Sequence, residues 1–198
     1  MVYTIPQMMS GNWVEGKILT RNNYNDKFIE QLADLIADIH KTLPFFEYAW
    51  PGASVDLPKM QDTVSGLEQG DDFTKEAIAE YYEIQPNLQH TAYLHGDIHG
   101  ENVIVDDKGN LEGLIDWEHA AVGDPHWDFR MIRRWIGWDG LEQLLFYYNA
   151  TTGLQCKLKY IKVLDKISLC NSRQIQTPPI PMFNEYIRVW PAPLKHVL

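Results

Sequence analysis

The sequence is poor in cysteine, in positive charge and in long apolar runs. Cys156 and Cys170 are the two cysteines among 198 residues, and they offer neither metal-ligand spacing nor a framework of disulfide bridges. No run approaches the roughly 18 apolar residues that a membrane-spanning helix needs, and the N-terminus lacks the pattern of a signal peptide. We therefore expect a cytoplasmic protein that does not cross a membrane.

Acidic residues outnumber basic ones. Aspartate and glutamate total 27 against 17 lysine and arginine residues, so the formal net charge is −10. Such a charge repels nucleic acids and anionic membrane surfaces. We expect neither as a partner, and we expect a charged small-molecule substrate to be cationic. The acidic residues that would suit such a substrate, if they reach a cleft, are Glu112, Glu118, Asp124, Asp139 and Glu142.

Apolar periodicity predicts a mainly helical α+β fold. Apolar residues recur at spacings of three and four from Phe28 to Leu43 and are followed by Pro44, which is typical of an amphipathic helix and its end. Further helices are predicted over 71–84, 128–138, 141–150 and 154–169, with a strand at 1–9 and mostly loop at 44–70. We divide the chain into a hinge-like entry segment at 1–20, a helical lobe at 21–170 and a proline-rich tail at 171–198.

Polar side chains are concentrated where short strands meet in the middle of the chain. A strand at 91–94 leads to Asp97, and two further strands, 102–105 and 111–115, are joined by turn-forming residues and predict a β-hairpin. The hairpin places Asn102 and Asp116 close to each other across the ladder. Oxygen ligands of this kind suit a hard cation such as Mg²⁺.

This trio has the composition that phosphoryl transfer requires. The reaction needs a carboxylate beside the attacking hydroxyl and metal ions on the phosphates, and the protein mostly supplies position and charge. An Asp followed five residues later by Asn, with a metal-binding Asp beyond them, is the spacing of protein kinases. Asp97, Asn102 and Asp116 match that spacing.

A longer stretch resembles a known family. The segment LHGDIHGENVIVDDKGNLEGLIDWEHAAVGDPHWDF, from Leu94 to Phe129, resembles the aminoglycoside phosphotransferase family, which includes macrolide, homoserine and choline-type kinases. The resemblance implies the C-terminal lobe of a protein-kinase-like fold with a short β-hairpin at the catalytic loop. It also implies an ATP- or GTP-dependent, Mg²⁺-requiring O-phosphotransferase that acts on the hydroxyl of a small molecule. Asp116 is followed by Trp117-Glu118 and not by Phe-Gly, which favours the small-molecule branch.

The resemblance assigns roles position by position. Asp97 becomes the catalytic carboxylate that orients the acceptor hydroxyl and takes up its proton, and Asn102 and Asp116 become the Mg²⁺ ligands. Two residues would shape the catalytic loop and one would hold it from the next helix by hydrogen bonds. These supporting residues are His95, Gly96 and Asp128.

The resemblance also implies parts that the sequence does not supply. A kinase-like site needs a glycine-rich loop over the phosphates and a strand lysine paired with a helix glutamate, and all of these would precede Met1. We therefore expect the N-terminal ATP-binding lobe to be largely absent and ATP to bind the isolated chain weakly. The hinge-like segment offers Gln7, Met8 and Met9 as candidate nucleotide-contacting residues.

Several other interpretations compete with this one. Gly96 to Gly100 looks like the first motif of metallophosphoesterases, although the later histidines of their two-metal site are missing. A zinc site among His95, His99, His119 and His126 receives little weight, and His99 is expected to be a surface loop residue. Gly11 to Lys17 nearly spells a phosphate-binding loop by accident.

A non-catalytic module is the remaining alternative, in which the exposed lobe interface binds a second copy or another partner. Trp127, Trp135 and Trp138 are expected to pack in the core or cleft.

Overall fold

The computed structural model describes residues 14–41, 64, 67, 70–88, 92–117 and 119–174, with the backbone alone at 121 and 171–174. The helices in this part of the chain are α1 (Phe28–Lys41), α2 (Asp72–Ile84), α3 (Arg133–Thr152) and α4 (Leu158–Gln174). The strands are β1 (Lys17–Ile18), β2 (Ala92–Leu94), β3 (Val103–Val105), β4 (Leu111–Leu114) and β5 (Ala121–Gly123). Short 3₁₀ turns occur at Gln85–Asn87, Gly100–Asn102 and Pro125–Phe129. The prediction of a mainly helical α+β fold is confirmed.

Two small antiparallel sheets flank the residues Asp97, Asn102 and Asp116. One has the order β1-β3-β4, and the other pairs β2 with β5. The β3–β4 hairpin has Val103 opposite Leu114, and its turn is closed by Asp106, whose carboxylate accepts the backbone N–H groups of Lys108 (2.7 Å) and Asn110 (2.8 Å). The predicted hairpin is therefore confirmed, and its open end faces the loop that follows β2.

Two apolar cores support these sheets. The first joins α1 and α3 to the hairpin, because α1 places an apolar stripe inward and β3 is buried along its whole length. The second joins α2 to α4. Fully burying a side chain such as Phe28 or Tyr148 stabilises the fold by about 1.5–3 kcal/mol each. The helices consequently form a fixed platform for the two sheets.

Several element boundaries differ from those that the sequence predicts. β1 and β5 were not expected, and the 3₁₀ turn Pro125–Phe129 replaces the first turn of the helix predicted at 128–138. Gly137 interrupts α3 with non-helical angles (φ 74°, ψ 178°), close to the predicted break between two helices. α4 begins and ends later than the helix predicted at 154–169. The strand expected at 1–9 and most of the loop expected at 44–70 lie outside the described residues.

The lysine of the phosphate-binding look-alike lies in a strand. Lys17 opposes Val105 in the β1–β3 pair, and its ammonium is 2.7 Å from the carboxylate of Asp107. A phosphate-binding loop would need a helix at this point. The strand observed here agrees with the interpretation that the match to such a loop is accidental. None of the helices in the described part of the chain combines the length and apolar content that crossing a bilayer requires.

Candidate active site

The predicted trio comes together at the open end of the hairpin. Asp97 follows β2 by three residues, Asn102 immediately precedes β3, and Asp116 follows β4 by two residues. The backbone N–H of Ile115 donates to the carbonyl of Asn102 at 2.9 Å, which extends the ladder beyond the strands. The Asn102 side chain donates through Nδ2 to the carbonyl O of Asp97 (3.0 Å). Backbone pairing in the hairpin and the side-chain amide of Asn102 therefore bring Asp97 to the end of the hairpin that bears Asn102 and Asp116.

Asp97 lies at the surface of this cluster. Its side chain is 21% exposed, so a small molecule can reach the carboxylate. Oδ2 lies 3.4 Å from Nε2 of His99, and Oδ1 lies 3.8 Å from Nη2 of Arg130. Partial burial raises the pKa of Asp97, but the hydrogen bond and charge of His99 and the charge of Arg130 outweigh it and leave the pKa below its usual value. Asp97 is therefore an ionised carboxylate at neutral pH.

Asp128 holds the catalytic loop from below. It is fully buried, and its two oxygens accept the backbone N–H groups of His95 (2.9 Å) and Gly96 (2.7 Å). His40 Nε2 lies 3.1 Å from Oδ2, and His40 Nδ1 lies 2.7 Å from the hydroxyl of Tyr148. Burial raises the pKa of Asp128, but the hydrogen bonds and the nearby imidazoles outweigh this and hold the pKa below its usual value. The loop thus rests on a buried carboxylate connected to α1 and α3.

Arg130 holds the same loop from the other side. Its Nη2 donates to the carbonyl O of Gly96 (2.8 Å) and its Nη1 donates to the carbonyl O of Trp127 (2.9 Å). The guanidinium stacks over the Trp127 ring, 4.1 Å from the centroid. Burial lowers the pKa of Arg130 to about 10, which still leaves it positively charged at neutral pH. Asp128 and Arg130 therefore fix both sides of Gly96.

His95 connects the loop to the end of β4. The ring is completely buried, and burial lowers its pKa. Nε2 lies 2.9 Å from the carbonyl O of Ile115, to which it donates, and Nδ1 accepts the N–H of Asp97 at 3.3 Å. A neutral imidazole with the proton on Nε2 satisfies both contacts. His95 thereby ties the position of Asp97 to the residue that precedes Asp116.

Gly96 has a conformation and a position that exclude a side chain. Its φ is +84°, and a Cβ at this site would lie 2.0 Å from the carbonyl O of His119. We expect Gly96→Ala to lower the free energy of unfolding by more than about 2 kcal/mol, because the backbone clash adds to the cost of positive φ. Urea denaturation followed by circular dichroism measures this.

Gly153→Ala is the matched control, because Gly153 has φ +72° and nothing within 4 Å of the added Cβ. It should lose only about 1 kcal/mol, the cost of the backbone conformation alone. Equal losses in the two variants would contradict the role of the close contact at Gly96.

Asn102 and Asp116 have the donor chemistry of a magnesium site. Because the amide nitrogen of Asn102 is committed to the loop, its Oδ1 is the atom left to face a cation. Asp116 has a positive φ of 63°, which aspartate tolerates better than most residues and which is frequent at functional sites. In the described residues no group of three or more His, Cys, Asp and Glu side chains forms a metal site. Two oxygen donors nevertheless fit Mg²⁺, which keeps several waters and binds phosphates.

Four residues of this region were not assigned a role by the sequence. His99, expected to be a surface loop residue, lies in the loop with its side chain 20% exposed, and its ring stacks on Trp135 with 5.6 Å between centroids. His40 and Tyr148 lie far from the motif in the sequence, and Arg130 follows it at a position to which the motif assigns no role. The one signal in the sequence was the position of His40 on the apolar side of α1. Gln7, Met8 and Met9 lie outside the described residues. Trp127 and Trp135 pack against the cores, whereas Trp138 is 36% exposed.

A fixed carboxylate loop, a hairpin bearing Asn and Asp, and a helical platform are parts that a kinase-like phosphotransferase fold requires. A family model described as a phosphotransferase enzyme family matches residues 8–155. The chain belongs to this family, which confirms the resemblance to the aminoglycoside phosphotransferases.

Individual relatives show how far the likeness extends. The Bacillus subtilis (strain 168) protein YcbJ, described as uncharacterized, is 28% identical over 138 residues, covering 65% of this chain and 45% of YcbJ. A macrolide 2'-phosphotransferase of type I superposes with a TM-score of 0.62 at 21% identity, covering 76% of this chain and 52% of that one. The aminoglycoside phosphotransferase APH(3'')-Id of Streptomyces rimosus, solved with ADP and streptomycin, gives 0.60 at 20% identity, covering 80% and 68%. The chain thus spans about half the length of YcbJ and of the macrolide enzyme.

Proposed function

We propose that this chain catalyses the transfer of a phosphoryl group from ATP or GTP to the hydroxyl of a small molecule. One observation carries the proposal. Asp97 has an ionised, solvent-accessible carboxylate, the loop in which it lies is held by Asp128, and its backbone carbonyl accepts a hydrogen bond from the amide of Asn102. A carboxylate in this setting can orient a hydroxyl group, which is the main contribution that phosphoryl transfer asks of a protein.

Asp97 has a defined part in the proposed reaction. Its carboxylate accepts a hydrogen bond from the acceptor hydroxyl and takes its proton as the acceptor oxygen bonds to the γ-phosphorus. The bond between that phosphorus and the β–γ bridging oxygen breaks, and the nucleoside diphosphate leaves. Arg130 keeps a positive charge 3.8 Å from Oδ1 and so favours the ionised carboxylate that begins the reaction.

Asn102 and Asp116 would hold Mg²⁺. The oxygen donors of the two side chains are placed at one end of the hairpin by the hydrogen bond between Ile115 N–H and Asn102 carbonyl. When bound, Mg²⁺ neutralises phosphate charge and aligns the donor. His95 supports this end of the site, because it donates to the carbonyl of Ile115.

The nucleotide and the acceptor are proposed from the relatives. One solved relative holds ADP with streptomycin, and an aminoglycoside 2'-phosphotransferase holds GDP. We infer a nucleoside triphosphate as donor, with Gln7, Met8 and Met9 as its predicted contacts, and a small-molecule alcohol as acceptor. The two buried thiols, Cys156 and Cys170, are consistent with the predicted cytoplasmic location.

A transfer assay tests the proposal. The chain is incubated with γ-labelled ATP or GTP, Mg²⁺ and a panel of small hydroxyl compounds, and we expect label in at least one acceptor. Removing the metal with EDTA should abolish transfer, and Asp116→Asn should lower it at least about a hundredfold, because the phosphate charge is no longer neutralised.

Glu112→Gln is the matched control, since it removes one exposed carboxylate from the same hairpin and should leave transfer unchanged. A chain that transfers no label from either nucleotide, even at concentrations high enough to offset the expected weak binding, would contradict the proposed function and favour the non-catalytic alternative. Transfer that persists in EDTA would contradict the metal's role.

A further inference from the structure

The region beside the catalytic loop has a charge opposite to that of the chain as a whole. The net charge is −10, yet Arg130, Arg133 and Arg134 fall within five consecutive positions. Arg21 joins them, because its Nε donates to the carbonyl O of Arg134 at 3.1 Å. The catalytic loop explains the position of Arg130, but it does not explain the positions of the other three guanidinium groups.

One buried carboxylate organises two of these arginines. Asp165 on α4 is 2% exposed; its Oδ2 accepts from Nε of Arg133 at 2.8 Å, and its Oδ1 accepts from Nη2 of Arg134 at 3.0 Å. Both guanidiniums use the same Nε–Nη2 edge, so their Nη1 ends are directed elsewhere. One negative charge against two positive charges leaves Arg133, Arg134 and Asp165 together with a net charge of +1.

The Arg133–Arg134 pair is both accessible and ordered. The two side chains are 25% and 27% exposed, so a solute can reach them. Asp165 already restricts their rotamers, and an anion would therefore bind without the full entropic cost of ordering two long side chains. Lys162 adds a further positive charge beside this pair. Both Arg133 and Lys162 contact the Trp138 ring, at 4.7 Å and 5.2 Å from its centroid.

Arg130, which is buried, lies between the Arg133–Arg134 pair and the carboxylate of Asp97. Its guanidinium lies 3.8 Å from Asp97 and is close enough to Arg134 and Asp165 for their charges to affect it. Trp135, the next residue on α3, stacks on His99 and closely approaches Gly100 of the catalytic loop. The Arg133–Arg134 pair is therefore connected to Asp97 through Arg130.

We propose that the acceptor alcohol carries an anionic group, a carboxylate or a phosphate, which the Arg133–Arg134 pair binds while Asp97 receives the hydroxyl. This inference rests on the proposed phosphotransferase function and specifies its substrate. It differs from the cationic acceptor that the overall charge suggested. Of the acidic residues considered for that acceptor, Asp124 is committed to His126 at 2.6 Å and Glu112 is exposed on β4.

The binding of four small compounds, measured in the absence of nucleotide, tests the proposal. Glycerate, glycerol and serinol are three-carbon hydroxyl compounds with negative, neutral and positive charge, and glycerol 3-phosphate compares phosphate with carboxylate. Each is titrated into the chain while the arginine Nε–Hε resonances are followed by NMR. We expect the two anions to shift the resonances of Arg133 and Arg134 saturably, and serinol and glycerol to leave them in place.

Substitutions define the site. Arg133→Gln with Arg134→Gln should weaken anion binding at least about tenfold, because two charge-assisted contacts are lost. Lys75→Gln, which removes an exposed positive charge on α2, is the control and should bind normally. If the double variant unfolds because Asp165 is left unpaired, adding Asp165→Asn removes that buried charge, and the triple variant should fold and show the same loss.

The outcomes separate this inference from the proposed function. Shifts that are equal for serinol and glycerate, or anion binding unchanged in the folded variants, would overturn the inference even if phosphate transfer occurs. Anion binding at Arg133 and Arg134 without any transfer would support the anion site and contradict the phosphotransferase function. Transfer that is faster to glycerate than to serinol, and slowed in the double variant, would support both.

Discussion

Asp97→Asn is expected to reduce phosphate transfer at least about a hundredfold. The amide has nearly the shape of the carboxylate but cannot take up the proton of the acceptor hydroxyl, and loss of general-base catalysis costs about 10²–10⁴ in rate. Because Asp97 is partly exposed and its contacts with His99 and Asn102 are 3.4 Å long, the substitution should leave the fold intact. Initial rates of label transfer from ATP measure the effect, with thermal unfolding as the check on folding.

Asp107→Asn is the matched control for this experiment. Its side chain is 85% exposed in the hairpin turn and pairs with Lys17, so the same chemical change is made ten residues away without touching the loop. The control should transfer phosphate at the wild-type rate. A folded Asp97→Asn protein that retains wild-type rates would refute the assigned role of Asp97.

The largest effect on stability is expected from Asp128→Asn. The carboxylate accepts the N–H groups of His95 and Gly96 and contacts His40, whereas an amide has one acceptor oxygen and presents an NH₂ group to the remaining donor. Breaking a buried charged network costs about 3 kcal/mol or more. Urea denaturation of the two proteins at pH 7 measures the difference, and Asp38→Asn, an exposed change on α1, is the control.

Acid should abolish this difference. The pKa of Asp128 in the folded protein is below its usual value, so the ionised carboxylate stabilises the fold above the unfolded-state pKa of about 4. This contribution is lost as the pH falls through the folded-state pKa. The stabilities of wild type and Asp128→Asn should therefore converge on acidification below about pH 4. A difference under about 1 kcal/mol at pH 7 would contradict the supporting role of Asp128.

The sequence was most informative where function depends on local spacing. Asp97, Asn102 and Asp116 could be grouped because a hairpin with strong turn residues at 106–110 necessarily returns the chain to its starting point. Its strands and turn are in the predicted places. Backbone hydrogen bonding across a short hairpin is a local property, and a single sequence is enough to predict it.

Contacts between distant segments could not be predicted in the same way. His40 meets Asp128 across 88 positions and Tyr148 across 108, and nothing in the spacing of these residues indicates that α1 and α3 pack together. β1 and β5 have two and three residues, too few for an alternating pattern. The stacking of His99 on Trp135 of α3 could not be predicted either, because the two residues are far apart in the sequence.

Gly96 gives the catalytic loop its shape without giving it mobility. Its N–H is bound by Asp128 and its carbonyl by Arg130, so the peptide planes on both sides of its Cα are anchored and neither torsion can rotate alone. Glycine, the residue type with the greatest backbone freedom, is thus held in one conformation here, and Asp97 lies in a fixed part of the loop. In the proposed reaction, an acceptor would not be accommodated by movement of this loop. Discrimination among acceptors would then arise from the surfaces that surround Asp97.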